Sequence, residues 1–285
     1  MSAKIEFSNV GRSYPARGTS KAPFHALAGV NLELPAGEFL VVVGPSGCGK
    51  STLLDLVAGL AVPTSGAVLI DGKPVTGPGP DRSLVFQQYA LFPWRTVLAN
   101  VEFGLEVNGI GERARRETAR RYLELVGLAE FEGRYPHELS GGMKQRVAIA
   151  RSLASDPSVL MMDEPFAALD AQTRETLQIE LLRIWQASQK TILFITHSID
   201  EAIFLGQRIA VMTSRPGRIK TVIDVPASVR AGGEDARSLP EFGRLRQHVW
   251  GILRDEVRRA EEQERRAKLA AASAGFGAEG ATVHG

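Results

Sequence analysis

The run Gly44-Pro45-Ser46-Gly47-Cys48-Gly49-Lys50-Ser51-Thr52 sets glycines, a lysine and adjacent hydroxyls at the spacing of a phosphate-binding loop. Glycines let backbone N–H groups converge on phosphate oxygens, and a helix that starts there adds the positive end of its dipole. Lys50 can reach β- and γ-phosphates, and the Ser51 hydroxyl can ligate Mg²⁺. Two acids, Asp163 and Glu164, close the apolar run Val159–Met162. Asp163 is suited to hold Mg²⁺ through water, and Glu164 to orient or deprotonate an attacking water. His197 and Gln87 also follow apolar runs, and Gln87 could touch both Mg²⁺ and that water. Singly, an acid pair is as often a turn and a lone histidine more often structural. Finally, Ser140-Gly141-Gly142 stands just before a helical pattern, where backbone N–H groups make a second anion-binding surface. A structural cap needs only the serine, so the Gly-Gly pair points to close approach by a ligand.

These groups need strands and helices that bring them together. Apolar β-type runs are expected at Lys4–Val10, Val30–Leu34, Phe39–Val43, Ala67–Ile70, Ser83–Phe86, Val159–Met162, Thr191–Ile195 and Ile209–Thr213. Helical patterns follow at Thr52–Ala58, Val147–Ala154 and Ala171–Ser188, so the expected architecture is α/β with a mostly parallel sheet. Between Gln88 and Leu139 no strand is expected, and the arginine-rich pattern Gly111–Val126 reads as part of a helical insertion. Past Val225, Ser228–Ser238 reads as loop, Pro240–Leu269 as a charged helix, and Ala270–Gly285 as a disordered tail.

Composition narrows the classes. The chain has 285 residues, 44% apolar and 23% charged, which suits a globular domain. A net charge of +2 gives no reason to expect nucleic acid as partner. The single cysteine, Cys48, excludes an internal disulfide. No secretory leader is expected at the N-terminus, and the longest uncharged stretch, Leu56–Ile70, is broken by Gly59, Pro63 and Gly66. Any membrane role must come through a partner.

In this order the segments resemble the nucleotide-binding subunit of ATP-binding cassette (ABC) transporters, with Leu139-Ser140-Gly141-Gly142-Met143 as the deciding signature. The resemblance runs from about Ile5 to Val257. It implies a P-loop NTPase with a RecA-like mixed sheet, a β-subdomain and a helical insertion. The ATPase domain would cover residues 1–225, its helical subdomain about 88–139, a C-terminal helical extension 226–269 and the tail 270–285. The cofactors implied are ATP and Mg²⁺. The resemblance assigns Tyr14 to stacking on adenine, Gly44 to Thr52 to the phosphates, and Ser140, Gly141 and Gly142 to the nucleotide of a second subunit. Ala168-Leu169-Asp170 would pass between subunits, with Asp170 at the shared nucleotide; a small polar residue often stands where Ala168 does. Glu164, His197, Gln87 and Lys50 would be catalytic, and Ser51, Gln87 and Asp163 would hold the metal.

Each motif occurs once, so the resemblance implies a homodimer, or a pair with a similar subunit, closing on two ATP molecules. A separate permease and, through it, a periplasmic substrate-binding protein are the further partners, at the cytoplasmic face of a bacterial inner membrane. Local wording at Val75–Arg82, Leu91–Val97 and Glu164–Asp170 looks like importers of taurine, aliphatic sulfonates and nitrate, with taurine nearest. The competing classes are a soluble cassette protein of DNA repair or translation and a P-loop kinase. Tyr89, Phe92 and Trp94 read as subdomain core or as a groove for a permease helix. The arginine run Arg113–Arg121 reads as a solvated face. Cys48 stands at a helix N-terminus, which is expected to lower a thiol pKa, so alkylation is expected to inhibit ATP hydrolysis and bound MgATP to protect.

Overall fold

The computed structural model describes residues 3–15 and 23–279. Strands β1 (Ala3–Tyr14), β2 (Phe24–Pro35), β4 (Ser65–Ile70) and β5 (Lys73–Pro74) form an antiparallel sheet ordered β2-β1-β4-β5. Strands β3 (Phe39–Val43), β6 (Arg82–Val85), β7 (Val159–Asp163), β8 (Thr191–Ile195), β9 (Arg208–Met212) and β10 (Ile219–Asp224) form a second sheet, ordered β10-β9-β3-β8-β7-β6. All its neighbours are parallel except the edge strand β10, which pairs antiparallel with β9.

Helices α1 (Lys50–Ala58), α4 (Gly141–Ala154), α5 (Ala171–Ser188) and α6 (Ile199–Leu205) follow or connect the parallel strands. Alternate side chains of β3 enter different cores, because successive residues of a strand face opposite sides. Leu40 and Val42 pack with Leu53, Leu56 and Val57 of α1 and with the antiparallel sheet. Phe39, Val41 and Val43 pack with α4, α5 and α6. Every residue of β3 and β8 is therefore buried, which is why both strands read as unbroken apolar runs.

Between the sheet strands lie α2 (Val97–Val107) and α3 (Glu112–Leu125), with 3₁₀ turns at Ala129–Phe131 and Pro136–Glu138. Arg115 and Arg116 of α3 do not simply face solvent; they turn toward the buried Glu102 of α2, at 3.9 and 3.6 Å. The chain then ends in α7 (Ala227–Ala231), a 3₁₀ turn at Gly233–Ser238 and the long helix α8 (Pro240–Glu279). Two expectations are corrected here. The segment read as loop, Ser228–Ser238, is mostly helical, with Val229 and Ala236 buried in the core. The tail read as disordered from Ala270 is helical to Glu279, and 280–285 lie outside the described residues.

Parallel pairing decides where the chemistry can happen. The register Val42–Ile195 and Asp163–Ile195 brings the C-terminal ends of β3, β7 and β8 level. Pairing of Val85 with Met162 adds the end of β6. The phosphate loop, Asp163-Glu164, His197 and Gln87 thus all leave the same edge of the sheet, where open α/β sheets hold their ligands.

Candidate functional site

The loop after β3 is shaped by its own backbone. Gly49 caps α1 at φ 106°, a conformation that side chains rarely adopt, and a Cβ there would lie 2.9 Å from the Ala26 carbonyl oxygen of β2. Lys50 is buried, and its Nζ donates to Gly44 O (2.9 Å) and Pro45 O (3.1 Å). Ser46 and Gly47 are exposed, so the outer rim of the loop faces solvent. Cys48 turns the other way and is 1% exposed. Burial pushes its thiol pKa up, against the opposing pull of Lys50 and nearby N–H groups. The expectation of a lowered thiol pKa is therefore overturned: desolvation of the thiolate outweighs the helix terminus.

Asp163 and Ser51 approach one another across β7 and α1, close enough for the hydroxyl to favour the ionised carboxyl. Burial raises the Asp163 pKa, Glu164 adds to the rise, and Ser51 and Lys50 oppose it. A carboxylate and a hydroxyl at one spot are hard oxygen donors, and a divalent cation there would offset the cost of burying the charge. Among the described residues no three His, Cys, Asp or Glu side chains cluster as a metal cage. Mg²⁺ suits such a site, since it keeps waters and phosphate oxygens as its other ligands.

Glu164 sits beyond the strand at φ 45°, a left-handed conformation for a non-glycine residue. Its N–H donates to Ile195 O (3.0 Å), and Oε2 lies 3.0 Å from His197 Nδ1. The His197 side chain is 64% exposed, and so is free to meet a ligand from the open side. Acid and histidine from neighbouring strand ends are thereby joined, as an arrangement for handling a water and a phosphate requires.

Tyr14 closes β1 opposite Phe24, with ring centroids 6.3 Å apart, and the Arg12 guanidinium lies over its ring. Phe24 in turn is covered by Arg215, whose Nε donates to Gly47 O at 2.7 Å. Tyr14 is thus linked to the loop through Phe24 and Arg215 rather than touching it. A cleft of about 600 Å³ opens beside Gly44–Gly47, His197 and Arg215, and Trp250, Leu253 and Val257 of α8 form its far wall. A buried carboxylate, Glu256, anchors that wall: it accepts from Ser214 N (2.9 Å) and pairs with Lys220 (2.8 Å). Burial works against its charge, yet Lys220 and Ser214 outweigh it and hold the carboxyl below its usual range. The reading of the sequence missed Arg215 and the α8 wall; the turn signal Arg215-Pro216-Gly217 was the available hint.

Ser140, Gly141 and Gly142 are not among the cleft's lining residues. Ser140 caps α4, its hydroxyl accepting from Met143 N at 3.3 Å. The second glycine of the pair, Gly142, also has an internal packing contact that the sequence reading did not foresee. A Cβ on Gly142 would lie 2.5 Å from Thr173 Cγ2, so close packing of α4 on α5 favours glycine there and a larger residue would have to displace the Thr173 side chain. Asp170 is the N-cap of α5, accepting from Thr173 N (3.0 Å), and those hydrogen bonds hold its carboxyl below the usual range. Ala168 and Asp170 are exposed.

Gln87 is exposed and makes no hydrogen bond to Ser51, Asp163 or Glu164, so it is brought to the edge but not into the cluster. Just after it, Tyr89 and Ala90 are both left-handed, and Arg151 of α4 donates to both carbonyls, at 3.1 and 2.6 Å. Of the aromatic cluster, Phe92 packs on Phe103 (4.6 Å), whereas Trp94 is 72% exposed and not core.

Comparison with known proteins accords with this geometry. A family profile described as "ABC transporter" matches residues 27–167. The nitrate import ATP-binding protein NrtD of Synechocystis sp. is 51% identical over 265 residues, 91% of this chain and 98% of that protein. The taurine import ATP-binding protein TauB of Rhizobium johnstonii is 48% identical over 233 residues, 80% and 89% respectively. A dimeric ATP-binding cassette solved in a post-hydrolysis state with ADP and Pi superimposes with a TM-score of 0.69 at 34% identity, covering 78% of this chain and 99% of that one. With a phosphate loop, an acid–histidine pair and a capped glycine signature on one α/β scaffold, and identities near one half over most of its length, this chain belongs to the ATP-binding proteins of ABC transporters, the ATPases that drive transport.

Proposed function

We propose that this chain is the ATPase subunit of an importer for a small solute bearing an anionic nitrate or sulfonate group, such as nitrate, taurine or an alkanesulfonate. The observation that carries the mechanism is the Glu164–His197 contact at 3.0 Å beside the phosphate loop, with Ser140–Gly142 outside that cleft. One chain supplies the grip and the acid–base pair; a second, head to tail, supplies the glycine signature. Two MgATP are then held between two copies, or between this chain and a similar subunit.

In this reading Lys50 exchanges the carbonyls of Gly44 and Pro45 for phosphate oxygens, and Tyr14 offers its ring to the adenine. Ser51 and Asp163 would hold Mg²⁺, and Gln87 would be a further ligand. The bound cation supplies charge neutralisation between the phosphates. Glu164 orients or deprotonates the attacking water, and His197 supports the γ-phosphate. Asp170 lies where the partner chain approaches. Closure on ATP and opening after hydrolysis supply the stroke.

No described helix is long and apolar enough to cross a membrane, and in this reading the work is passed to a separate permease. Phe86 and Trp94, exposed beside the partly buried Tyr89 and Phe92, offer an apolar surface for one of its cytoplasmic helices. A periplasmic binding protein would deliver the substrate, with this chain on the cytoplasmic face of a bacterial inner membrane. The similarity to both nitrate and taurine import proteins supports the anion class. The test is ATP hydrolysis by the reconstituted complex with nitrate, taurine and alkanesulfonates in turn. Stimulation by one of them is expected. If none stimulates while the complex hydrolyses ATP, the anion assignment is wrong.

A further inference from the structure

His197 is exposed, yet its backbone is clasped from both sides by a buried network. The Thr196 hydroxyl donates to Glu201 Oε2 at 2.5 Å, and its own oxygen accepts from Ser198 N at 2.9 Å. The residues before and after His197 are therefore fixed by one hydroxyl, whose orientation is set by Glu201. Glu201 is itself 6% exposed, and its other oxygen accepts from Gln178 Nε2 of α5 at 3.0 Å.

Gln178 is 1% exposed, so its amide must satisfy both ends inside the protein. Its Oε1 accepts from the Arg237 guanidinium, in the 3₁₀ turn before α8. That bond fixes which way the amide faces, and hence that Nε2 points to Glu201. Arg237 is steered in turn: its guanidinium lies 4.3 Å from the Phe204 ring centroid, and Nη1 is 3.4 Å from Glu175. A continuous line thus runs from Arg237 through Gln178, Glu201 and Thr196 to the backbone at His197. It joins the 3₁₀ turn before α8, which does not line the cleft, to the histidine assigned above to the γ-phosphate.

We propose that Arg237, Gln178 and Glu201 are positioning residues for His197, so that the C-terminal segment sets how well this histidine meets the transferred phosphoryl group. The proposal rests on the role given to His197 above. Orientation effects of this kind are large, since a misplacement near 1 Å can cost roughly 100-fold in rate. Full-length R237A in the assembled transporter is expected to lower kcat for ATP hydrolysis about tenfold with KM for ATP unchanged within about twofold. R237K, which keeps the charge but loses the planar fork, should recover part of the loss.

E201Q, close to Glu201 in volume, gives a second entry to the same network if R237A fails to fold. A double-mutant cycle with H197A decides the mechanism. If the line acts through His197, R237A or E201Q should add little to the loss already caused by H197A. Additive losses, or a kcat for R237A within about twofold of the original chain, would overturn the proposal. A normal turnover in H197A alone would instead remove the role of His197.

Discussion

The two anion-facing surfaces of this chain, the loop at Gly44–Thr52 and the helix start at Ser140–Gly142, are built in opposite ways. The first is surrounded by its own chemistry: buried Lys50 on loop carbonyls, Ser51 on Asp163, Glu164 on His197, and a cleft beside them. The second has only a capped helix end. Ser140 is committed to Met143 N, Gly142 is packed on Thr173, and the cleft does not include them. A surface with every accessory group can grip and process a phosphate chain. One with none suits a site completed elsewhere, and in the proposed head-to-tail pair that site lies on the second chain.

The largest expected effect separates gripping from processing. Glu164→Gln should lower hydrolysis by at least about 100-fold, within the range for loss of a general base, while ATP binding persists and gel filtration shows an ATP-stabilised dimer. Near-normal turnover would remove Glu164 from the role proposed for it.

A mixing experiment tests the division between the two surfaces. Ser140→Arg and Glu164→Gln chains should each be inactive alone. Mixed in equal amounts and allowed to exchange, half of the dimers carry one intact composite site, so roughly a quarter of the full activity should return. No recovery, with mixed dimers shown to form, would mean that the surfaces do not work in trans.

The smallest effect concerns access to the loop from behind. Because burial raises the Cys48 pKa, thiolate is scarcer than on a free cysteine at neutral pH. Alkylation should therefore be slow at pH 7, by about tenfold or more relative to a free thiol, and should accelerate as pH rises past the ordinary thiol range. A rate matching free cysteine would show that the loop opens far more than its packing implies.

How much of this could be read from the chain follows from how local each feature is. Phe39–Val43, Thr191–Ile195 and Ala171–Ser188 were legible to the residue because unbroken apolar runs define the strands and a helical pattern the helix. The phosphate loop was legible because its geometry is encoded contiguously. Contacts set by tertiary packing were not. The approach of Ser51 to Asp163, the close packing of Gly142 on Thr173, and the burial of Cys48 depend on what other strands and helices bring alongside. Glycines at 232 and 233 made Ser228–Ser238 look like loop, although Val229 and Ala236 find enough core to hold short helical turns. At Ala270-Ala271-Ala272 the alanines that suggested low complexity are also the strongest helix formers.

The left-handed backbone at Glu164 has a consequence for how this position can vary. A non-glycine side chain there costs on the order of 1 kcal/mol in backbone strain, which glycine would recover. Substitution to glycine should make the fold slightly harder to melt while removing the carboxylate that faces His197. Selection for a sturdier protein and selection for a working one therefore pull this single codon in opposite directions, and a library sorted on thermal survival alone would discard the acid.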